Sequence, residues 1–269
     1  MRGTLLIAVS QANVEPWNSI WRNGQAVTWA NQKIATVNVI NFVSKRAPLP
    51  VTKLDDFHYR NRSKRHVGLW QGRFDYFATK FISRKVPKYV FNEQQSILFV
   101  DSWSTWILLG QRLIALYDWF LKFTEFDFLY TTNTSSYINQ LNLLKLLESF
   151  DSNRFVYAGY LMPENHSKQF VSGAGRLLSR DCVELIRENW HKYTHDNIED
   201  VCIGTFLRDL GVLPINMNTI NLPSVESVTK LTLKELETEF HFRCKSQSTP
   251  RIDSEIMRAL HTRITKELR

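Results

Sequence analysis

Short apolar runs of strand length alternate with longer segments of helical periodicity, and this alternation constrains the fold more than any other feature of the chain. The strand-like runs are rich in β-branched and aromatic residues, as in "LLIAVS", "ATVNVINFVS", "SILFVD" and "FDFLY". Segments such as "TWILLGQRLIALYDWFLKF" carry apolar residues at helical spacing. Strands joined by helical crossovers form parallel sheets that are covered on both faces. The sequence therefore predicts an α/β fold with a mixed, mostly parallel sheet flanked by helices.

The length and apolar content of the chain indicate one packed domain followed by a terminal helix. The 269 residues are 43% hydrophobic, which is enough for a sizeable core. The proline-bearing segment "KRAPLPVTKLDDFHYRNRSKRH" is predicted to be a long connection within a single domain over residues 1–250. Residues 251–269 include the amphipathic segment "SEIMRALHTRITKELR", which is predicted to be a helix. The pattern leaves open whether this helix packs on the domain or lies outside it.

The balance of charges favours an anionic partner. A formal net charge of +8 suits nucleic acid, an anionic membrane surface or a phosphate-bearing small molecule. The sequence carries no nucleic-acid-binding signature, so we expect no nucleic acid partner. No apolar run approaches the roughly 20 residues of a membrane span, so we expect at most peripheral membrane contact. The first strand-like run lacks a signal-peptide cleavage site, and the three cysteines lack a CxxC pair, which predicts a cytoplasmic protein.

A run of six Thr, Asn or Ser residues, at positions 131–136, follows the predicted strand "FDFLY" and precedes the leucine-rich "QLNLLKLL". We call residues 131–136 the polar run. Ligands of open α/β sheets bind beyond the carboxyl ends of the strands, where small hydrogen-bonding side chains suit them. The same residue types are favoured at the start of a helix. The polar run is therefore predicted to be either a ligand site or a helix cap.

Four segments occur in an order that resembles a known group of enzymes. These are the stretch from "FVDSWSTW" through "FDFLY" and the polar run to "NLLKLL", and the segments "FVSGAGRLLSRDCVEL", "IEDVCIGTFLRDLGV" and "FHFRCK". Over residues 97–245 they resemble the β-1,3-galactosyltransferase and fringe group of glycosyltransferases. The resemblance implies the Rossmann-like GT-A fold. It also implies transfer of a sugar, with inversion, from a nucleotide-sugar donor, usually a UDP-sugar, to a glycan or glycolipid acceptor.

The resemblance implies roles for individual residues on the acceptor side. Asp200 in "IEDV" matches the acid that acts as the general base of the group, and its neighbour Glu199 is the alternative. Apart from the resemblance, both acids also suit the first turn of a helix for purely electrostatic reasons. The acceptor would meet a loop at Gly173, Ala174 and Gly175, where glycine lets the backbone approach a sugar closely.

Four further positions are expected in the site on weaker grounds. Trp190 offers an aromatic platform for a sugar ring, although a tryptophan more often fills a core. Val9 and Ser10, at the end of the first strand, resemble the place where GT-A enzymes meet the nucleotide, by analogy of fold alone. Asp101, after "ILFV", matches an acid of the group. We therefore place Val9, Ser10 and Asp101 on the donor side.

The polar run lacks the acids that the family pattern places there. The group has aspartates at this point, and they hold a divalent metal against the donor phosphates. This chain has Asn133, Thr134 and Ser135 instead. Mn²⁺ and Mg²⁺ favour anionic oxygen ligands, so these neutral side chains would hold either ion weakly. The resemblance thus leaves two alternatives: a weak metal site completed by His241 with Asn133 and Ser135, or donor binding without metal.

Donor binding without metal requires another source of positive charge. His241, Arg243 and Lys245 alternate along "FHFRCKS", so in a strand they would share one face, and Arg243 and Lys245 suit a diphosphate. A helix capped by Ser135 or Ser136 would add its positive N-terminus. The missing acids also leave a second function open, that of a degenerate transferase which binds a nucleotide-sugar or glycan without turnover.

Overall fold

The computed structural model describes residues 4–12, 14–46, 85–103, 109–152, 154–162, 169–195 and 198–268. Most of the predicted long connection lies outside the described residues. The strands are β1 Leu5–Gln11, β2 Val37–Arg46, β3 Tyr89–Asn92, β4 Ile97–Trp103, β5 Phe128–Asn133, β6 Ser136–Ile138, β7 Tyr157–Leu161, β8 Val171–Ser179, β9 Ile215–Asn216, β10 Ile220–Asn221 and β11 His241–Arg243.

Helices lie between several of these strands, and one follows the last strand. Helix α1 combines Trp17–Ile20, the π-helical Trp21–Gln25 and Ala26–Thr28; the others are α2 Leu109–Phe123, α3 Gln140–Leu147, α4 Arg180–Asn189, α5 Glu199–Asp209, α6 Val225–Thr229, α7 Leu233–Thr238 and α8 Asp253–Glu267. A 3-10 turn, Trp190–Lys192, follows α4. No helix in the described ranges is both long enough and apolar enough to cross a membrane.

Eight strands form the central sheet in the order β3-β4-β2-β1-β5-β8-β7-β9. The four adjacent strands β4, β2, β1 and β5 are parallel, whereas β3 and β8 run antiparallel to their neighbours β4 and β5. A second sheet has the order β10-β11-β6. The predicted α/β architecture, with a mixed and mostly parallel sheet, is confirmed.

Both faces of the central sheet are buried, as β1 illustrates. Successive side chains of a strand point to opposite faces. Leu6 packs in one apolar cluster with Ile114 of α2, whereas Leu5 and Ile7 pack in a second cluster on the opposite face. This explains why β1 reads as a continuous apolar run rather than as an alternating one.

The C-terminal helix α8 packs on the body of the domain. Its residues Ile256, Met257 and Leu260 are fully buried, and they belong to the same apolar cluster as Leu5 and Ile7 of β1. The question that the sequence left open is thereby answered. Residues 251–268 complete the core rather than forming an appendage.

Two predicted local structures are wrong. The segment around Gly173 is not a turn or loop, because Val171–Ser179 form β8, which pairs with β5 and β7. The helix after the polar run does not begin at Ser135 or Ser136, because Ser136–Ile138 form β6 and pair with β11. The cap of α3 is Asn139, whose side chain accepts from the amide of Asn142 at 3.2 Å. The helix N-terminus is therefore displaced from the polar run.

We predict that Leu260→Ala lowers the free energy of unfolding by about 2–5 kcal/mol, because it leaves a cavity in a buried cluster. Arg258→Ala, an exposed position on the same helix, is the matched control and is expected to change little. Urea denaturation measures both variants. Equal stability of Leu260→Ala and wild type would show that α8 does not belong to the core.

Candidate active site at the carboxyl ends of β1 and β5

Consecutive residues of β8 connect the predicted catalytic acid to the polar run. The amide of Gly173 donates to Oδ2 of Asp200 at 3.2 Å. The carbonyl oxygen of the next residue, Ala174, accepts from Oγ1 of Thr132 at 2.7 Å and from Oγ of Ser136 at 3.3 Å. Residues far apart in the sequence are thus joined within one short stretch of strand.

Asp200 lies half-buried in the first turn of α5. Burial raises the pKa of its carboxyl group above the ordinary value, and the negative charge of Glu199 raises it further. The hydrogen bond from the amide of Gly173, an exposed residue, lowers the pKa of Asp200 and so opposes these two effects. A carboxylate of raised pKa is a stronger base, so the arrangement suits removal of a proton from a substrate hydroxyl.

Glu199, the alternative base, is engaged in a buried ion pair. Its two carboxylate oxygens accept from Nη1 and Nη2 of Arg176 at 2.7 and 2.9 Å. Both side chains are nearly inaccessible, at 5% and 2% exposure. A bidentate pair of this kind fixes orientation. Glu199 therefore joins the start of α5 to β8 and does not face a substrate.

His241 lies at the centre of a buried set of hydroxyl groups. Its Nε2 is 3.0 Å from Oγ of Ser136, and its Nδ1 is 3.1 Å from the hydroxyl of Tyr130 and 3.0 Å from that of Thr219. Burial, with a contribution from the charge of Arg243, lowers the pKa of His241 to about 3. The imidazole is neutral at physiological pH, and both of its nitrogens are occupied.

Gly175 is a glycine because β8 passes close to this set. A Cβ atom at that position would lie 2.1 Å from the hydroxyl oxygen of Tyr130 and 2.6 Å from Cε1 of His241. Gly175 pairs with Thr132 of β5. Gly175 thus permits close packing of β8 and does not belong to the loop that was predicted.

The residues of the polar run do not fit a divalent metal site. Oδ1 of Asn133 already accepts from the amide of Ser135 at 3.0 Å and from the hydroxyl of Ser136 at 3.3 Å. The hydroxyl of Ser135 accepts from Nη2 of Arg251 at 3.1 Å. Across the described ranges, no three His, Cys, Asp or Glu residues are grouped so as to hold a metal. A guanidinium beside Ser135 would also repel a cation.

Three cations lie near the polar run. Arg243 pairs with Ser136 across β11 and β6, and Arg251 contacts Ser135. Partial desolvation, followed by the charges of Arg243 and Arg251, lowers the pKa of the nearby Lys245. A lysine whose pKa is lowered by two neighbouring arginines lies in a local excess of positive charge. This part of the site therefore suits an anion.

The side chain of Gln25, in α1, fixes the backbone of the polar run. Its Nε2 donates to the carbonyl oxygens of Asn133 and Ser136 at 2.9 and 2.7 Å, and Trp29 also donates to Ser136. Gln25 is fully buried. These bonds hold the run in one conformation, so Gln25 is a positioning residue.

The remaining predicted residues lie near the site in different degrees. Ser10 pairs with Asn133 at the ends of β1 and β5. Val9 and Thr134 are buried, so the side chain of neither reaches the surface. Asp101 lies in β4, which is separated from β5 by β2 and β1.

Trp190 is not the sugar platform that was predicted. Its ring is 4% exposed and stacks on Tyr193 with 4.2 Å between ring centroids. The indole packs in the apolar cluster that also contains Ile186 and Phe206. A face covered in this way cannot stack on a sugar, so Trp190 is a core residue.

Four residues of the site were not predicted from the sequence: Gln25, Thr132, Arg176 and Arg251. Thr132 could have been found, since it belongs to the same polar run as Asn133. The other three are isolated polar residues whose contacts with the polar run or with Glu199 span between 23 and 116 positions. No local pattern marks such residues.

The sequence is similar to two curated glycosyltransferases. It is 24% identical over 136 residues to UDP-GalNAc:beta-1,3-N-acetylgalactosaminyltransferase 2 of Xenopus laevis, and 25% identical over 136 residues to the protein of the same name from Xenopus tropicalis. Each alignment covers 44% of this chain and 28% of the relative. The match thus spans little more than a quarter of those proteins. No protein-family model matches the chain.

Two solved structures that match the chain at low similarity are those of glycosyltransferases. One is a glycosyltransferase involved in the glycosylation of the major capsid of PBCV-1, with a TM-score of 0.46, 9% identity and coverage of 95% of this chain and 98% of that chain. The other is the glycosyltransferase GlyE of Streptococcus pneumoniae, with a TM-score of 0.43, 8% identity and coverage of 98% and 63%.

We predict that Glu199→Ala destabilises the protein by about 3–5 kcal/mol, because it leaves the buried charge of Arg176 without its partner. The double variant Glu199→Leu with Arg176→Met replaces both charges by apolar groups and is expected to lose less stability than Glu199→Ala. Urea denaturation compares them. A double variant less stable than Glu199→Ala would contradict this account of the pair.

Proposed function

We propose that this protein is an inverting glycosyltransferase that moves a sugar from a nucleotide-sugar donor, a UDP-sugar, to a hydroxyl of a glycan or glycolipid acceptor. The proposal rests on one observation, which is that β8 links Asp200 to the polar run. The amide of Gly173 binds Asp200, and the carbonyl oxygen of the next residue, Ala174, binds Thr132 of the polar run. A carboxylate of raised pKa and the cations near the polar run thus lie on the two sides of the same short stretch of β8, which supports the proposal. The sequence similarity to N-acetylgalactosaminyltransferases supports the same reaction class.

In this proposal Asp200 is the general base. The bond from Gly173 occupies Oδ2, so Oδ1 is the oxygen assigned to the acceptor hydroxyl. As the hydroxyl oxygen attacks the anomeric carbon, its proton passes to Asp200. The bond from that carbon to the donor phosphate breaks on the opposite side, and its electron pair leaves with the diphosphate. Attack from the face opposite the leaving group inverts the configuration.

The departing diphosphate needs a source of positive charge. We assign this role to Arg243 and Lys245 rather than to Mn²⁺ or Mg²⁺, because Asn133 and Ser135 have their oxygens engaged and a guanidinium lies beside them. Arginine and lysine both bind phosphate oxygens by charge-assisted hydrogen bonds. Ser10, opposite Asn133, is assigned to the donor side.

The setting of the reaction stays a prediction from the sequence. We propose that the protein acts in the cytoplasm, with no more than peripheral contact with a membrane. The net charge of +8 fits an anionic donor, and the same charge would assist contact with anionic lipid headgroups that carry an acceptor.

Asp200→Asn is expected to lower kcat by roughly 10²–10⁴-fold, the usual contribution of a general base, while leaving nucleotide binding intact. Asp209→Asn, at an exposed position on the same helix, is the matched control. Sugar transfer from UDP-sugars and calorimetric binding of UDP measure the two effects separately. Turnover like that of wild type in Asp200→Asn would refute the assignment of the base.

The raised pKa of Asp200 predicts two dependences on pH. Transfer should rise with pH through a pKa above the ordinary value of 3.8, because only the ionised carboxylate accepts a proton. The folded state favours the protonated form of Asp200. At pH values above the pKa that Asp200 has in the unfolded chain, ionisation of its carboxyl group therefore lowers the free energy of unfolding. Asp200→Asn should therefore be more stable than wild type at pH 7, and the difference should vanish in acid. Urea denaturation at both pH values checks this, and a variant less stable at pH 7 would contradict it.

The absence of acids in the polar run favours one alternative, a degenerate transferase that binds a nucleotide-sugar or glycan without turnover. Prolonged incubation with UDP-sugars separates the two functions, because transferases hydrolyse their donors slowly. Reproducible hydrolysis that is lost in Asp200→Asn or Arg243→Ala would exclude the alternative. Binding of the donor without hydrolysis or transfer would favour it.

A further inference from the structure

The guanidinium of Arg251 is held in place by three neighbours. Its Nε donates to Oδ1 of Asp253 at 3.1 Å, and its Nη2 donates to Oδ2 of the same carboxylate. Nη2 also donates to the hydroxyl of Ser135 at 3.1 Å. The guanidinium carbon lies 4.7 Å from the centre of the Trp17 ring, as in a cation–π contact. The ring of Trp17 thus covers one face of the guanidinium, and Asp253 and Ser135 bind its edges.

Asp253, which orients Arg251, is itself fixed. The carboxylate is fully buried, and its Oδ1 also accepts from the amide and the hydroxyl of Ser246 at 3.0 and 2.9 Å. The hydroxyl of Ser246 in turn accepts from the amide of Ile252 at 3.0 Å. These bonds close the segment between β11 and α8. Arg251 is therefore presented to the polar run by a rigid support.

The third nitrogen of the guanidinium is not used in this arrangement. Within the part of the chain that the structure describes, Nη1 of Arg251 donates to no protein atom, and the side chain is 19% exposed. Two N–H donors on a fixed, charged group are thus available beside Ser135. Neutralising the charge of Asp253 would not by itself require the hydrogen bond from Nη2 of Arg251 to Ser135.

The surrounding charge selects an anion. Asp253 offsets one positive charge, but Arg251 and Arg243 both lower the pKa of Lys245, so the cluster keeps an excess of cations. Planar guanidinium groups match the spacing of phosphate oxygens. The ligand that fits two free N–H donors among these cations is a diphosphate.

We propose that Nη1 of Arg251 binds a phosphate oxygen of the nucleoside diphosphate part of the donor. This inference rests on the proposed function, because it assigns a donor contact to the same site. Arg251 then holds the diphosphate in the bound donor and stabilises the charge that develops on it as the sugar departs. The residue belongs to the terminal segment 251–269, whose packing the sequence left open, and its side chain lies beside the polar run.

The test compares nucleoside diphosphates with monophosphates. Calorimetric titration with UDP and UMP, and with GDP and GMP, is performed on wild type, Arg251→Ala, Arg251→Lys and the control Arg258→Ala. We expect Arg251→Ala to bind the preferred diphosphate about tenfold more weakly, as for loss of one charge-assisted hydrogen bond, and to bind the monophosphate within about threefold of wild type. Arg258→Ala should match wild type.

A second variant covers the effect of Arg251→Ala on folding. Removing Arg251 leaves the buried Asp253 without its cation, whereas Arg251→Lys keeps a positive charge there and removes the second arm of the fork. Thermal melting identifies the folded variants. A folded Arg251→Lys should also lose affinity for the diphosphate more than for the monophosphate.

Each contrary result has a distinct meaning. Unchanged diphosphate affinity in folded Arg251 variants, or equal losses for diphosphate and monophosphate, would overturn the role of Arg251 and leave the proposed function standing. Failure of the wild type to bind any of these nucleoside diphosphates would overturn both.

Discussion

The buried ion pair between Arg176 and Glu199 fixes the rest of the site. Arg176 belongs to β8 and Glu199 begins α5, so the pair sets the distance between a strand and a helix. Asp200 follows Glu199 directly, and its carboxylate therefore meets the amide of Gly173 on the same strand. The negative charge that anchors the helix also raises the pKa of the neighbouring acid. The ion pair thus helps to position Asp200, and its acidic member contributes to the raised pKa of Asp200.

On the other side of β8 the site depends on hydroxyl groups and cations. Hydrogen bonds within the protein engage the side-chain oxygens of Asn133 and Ser135, and the neutral His241 contacts Ser136. Three cations, Arg243, Lys245 and Arg251, come to this corner from the C-terminal part of the chain. The substitution of neutral residues for the expected acids is therefore accompanied by a cationic cluster at the same corner. This pairing supports a donor site in which side chains, not a metal, supply the positive charge.

The sequence predicted the architecture well because periodicity reports burial directly. The alternation of apolar runs and helical segments located the parallel strands β1, β2, β4 and β5. Where tertiary contacts decide, local patterns were insufficient. Gly175 packs against His241 rather than turning, Trp190 fills the core, and Arg251 contacts a residue 116 positions away. A glycine, a tryptophan or an arginine has several ordinary uses, and only the fold selects among them.

The central claim is that this corner binds a nucleoside diphosphate through side-chain cations. The most direct measurement is the melting temperature of the wild-type protein with a panel of nucleotides and nucleotide-sugars, with Mn²⁺ and with a chelator. A ligand that binds the native state raises the melting temperature, and the stabilisation grows with the logarithm of the ligand concentration relative to its Kd. The account predicts a rise with a nucleoside diphosphate or its sugar conjugate that is of equal size in chelator. A rise that requires Mn²⁺, or no rise with any nucleotide, would contradict it.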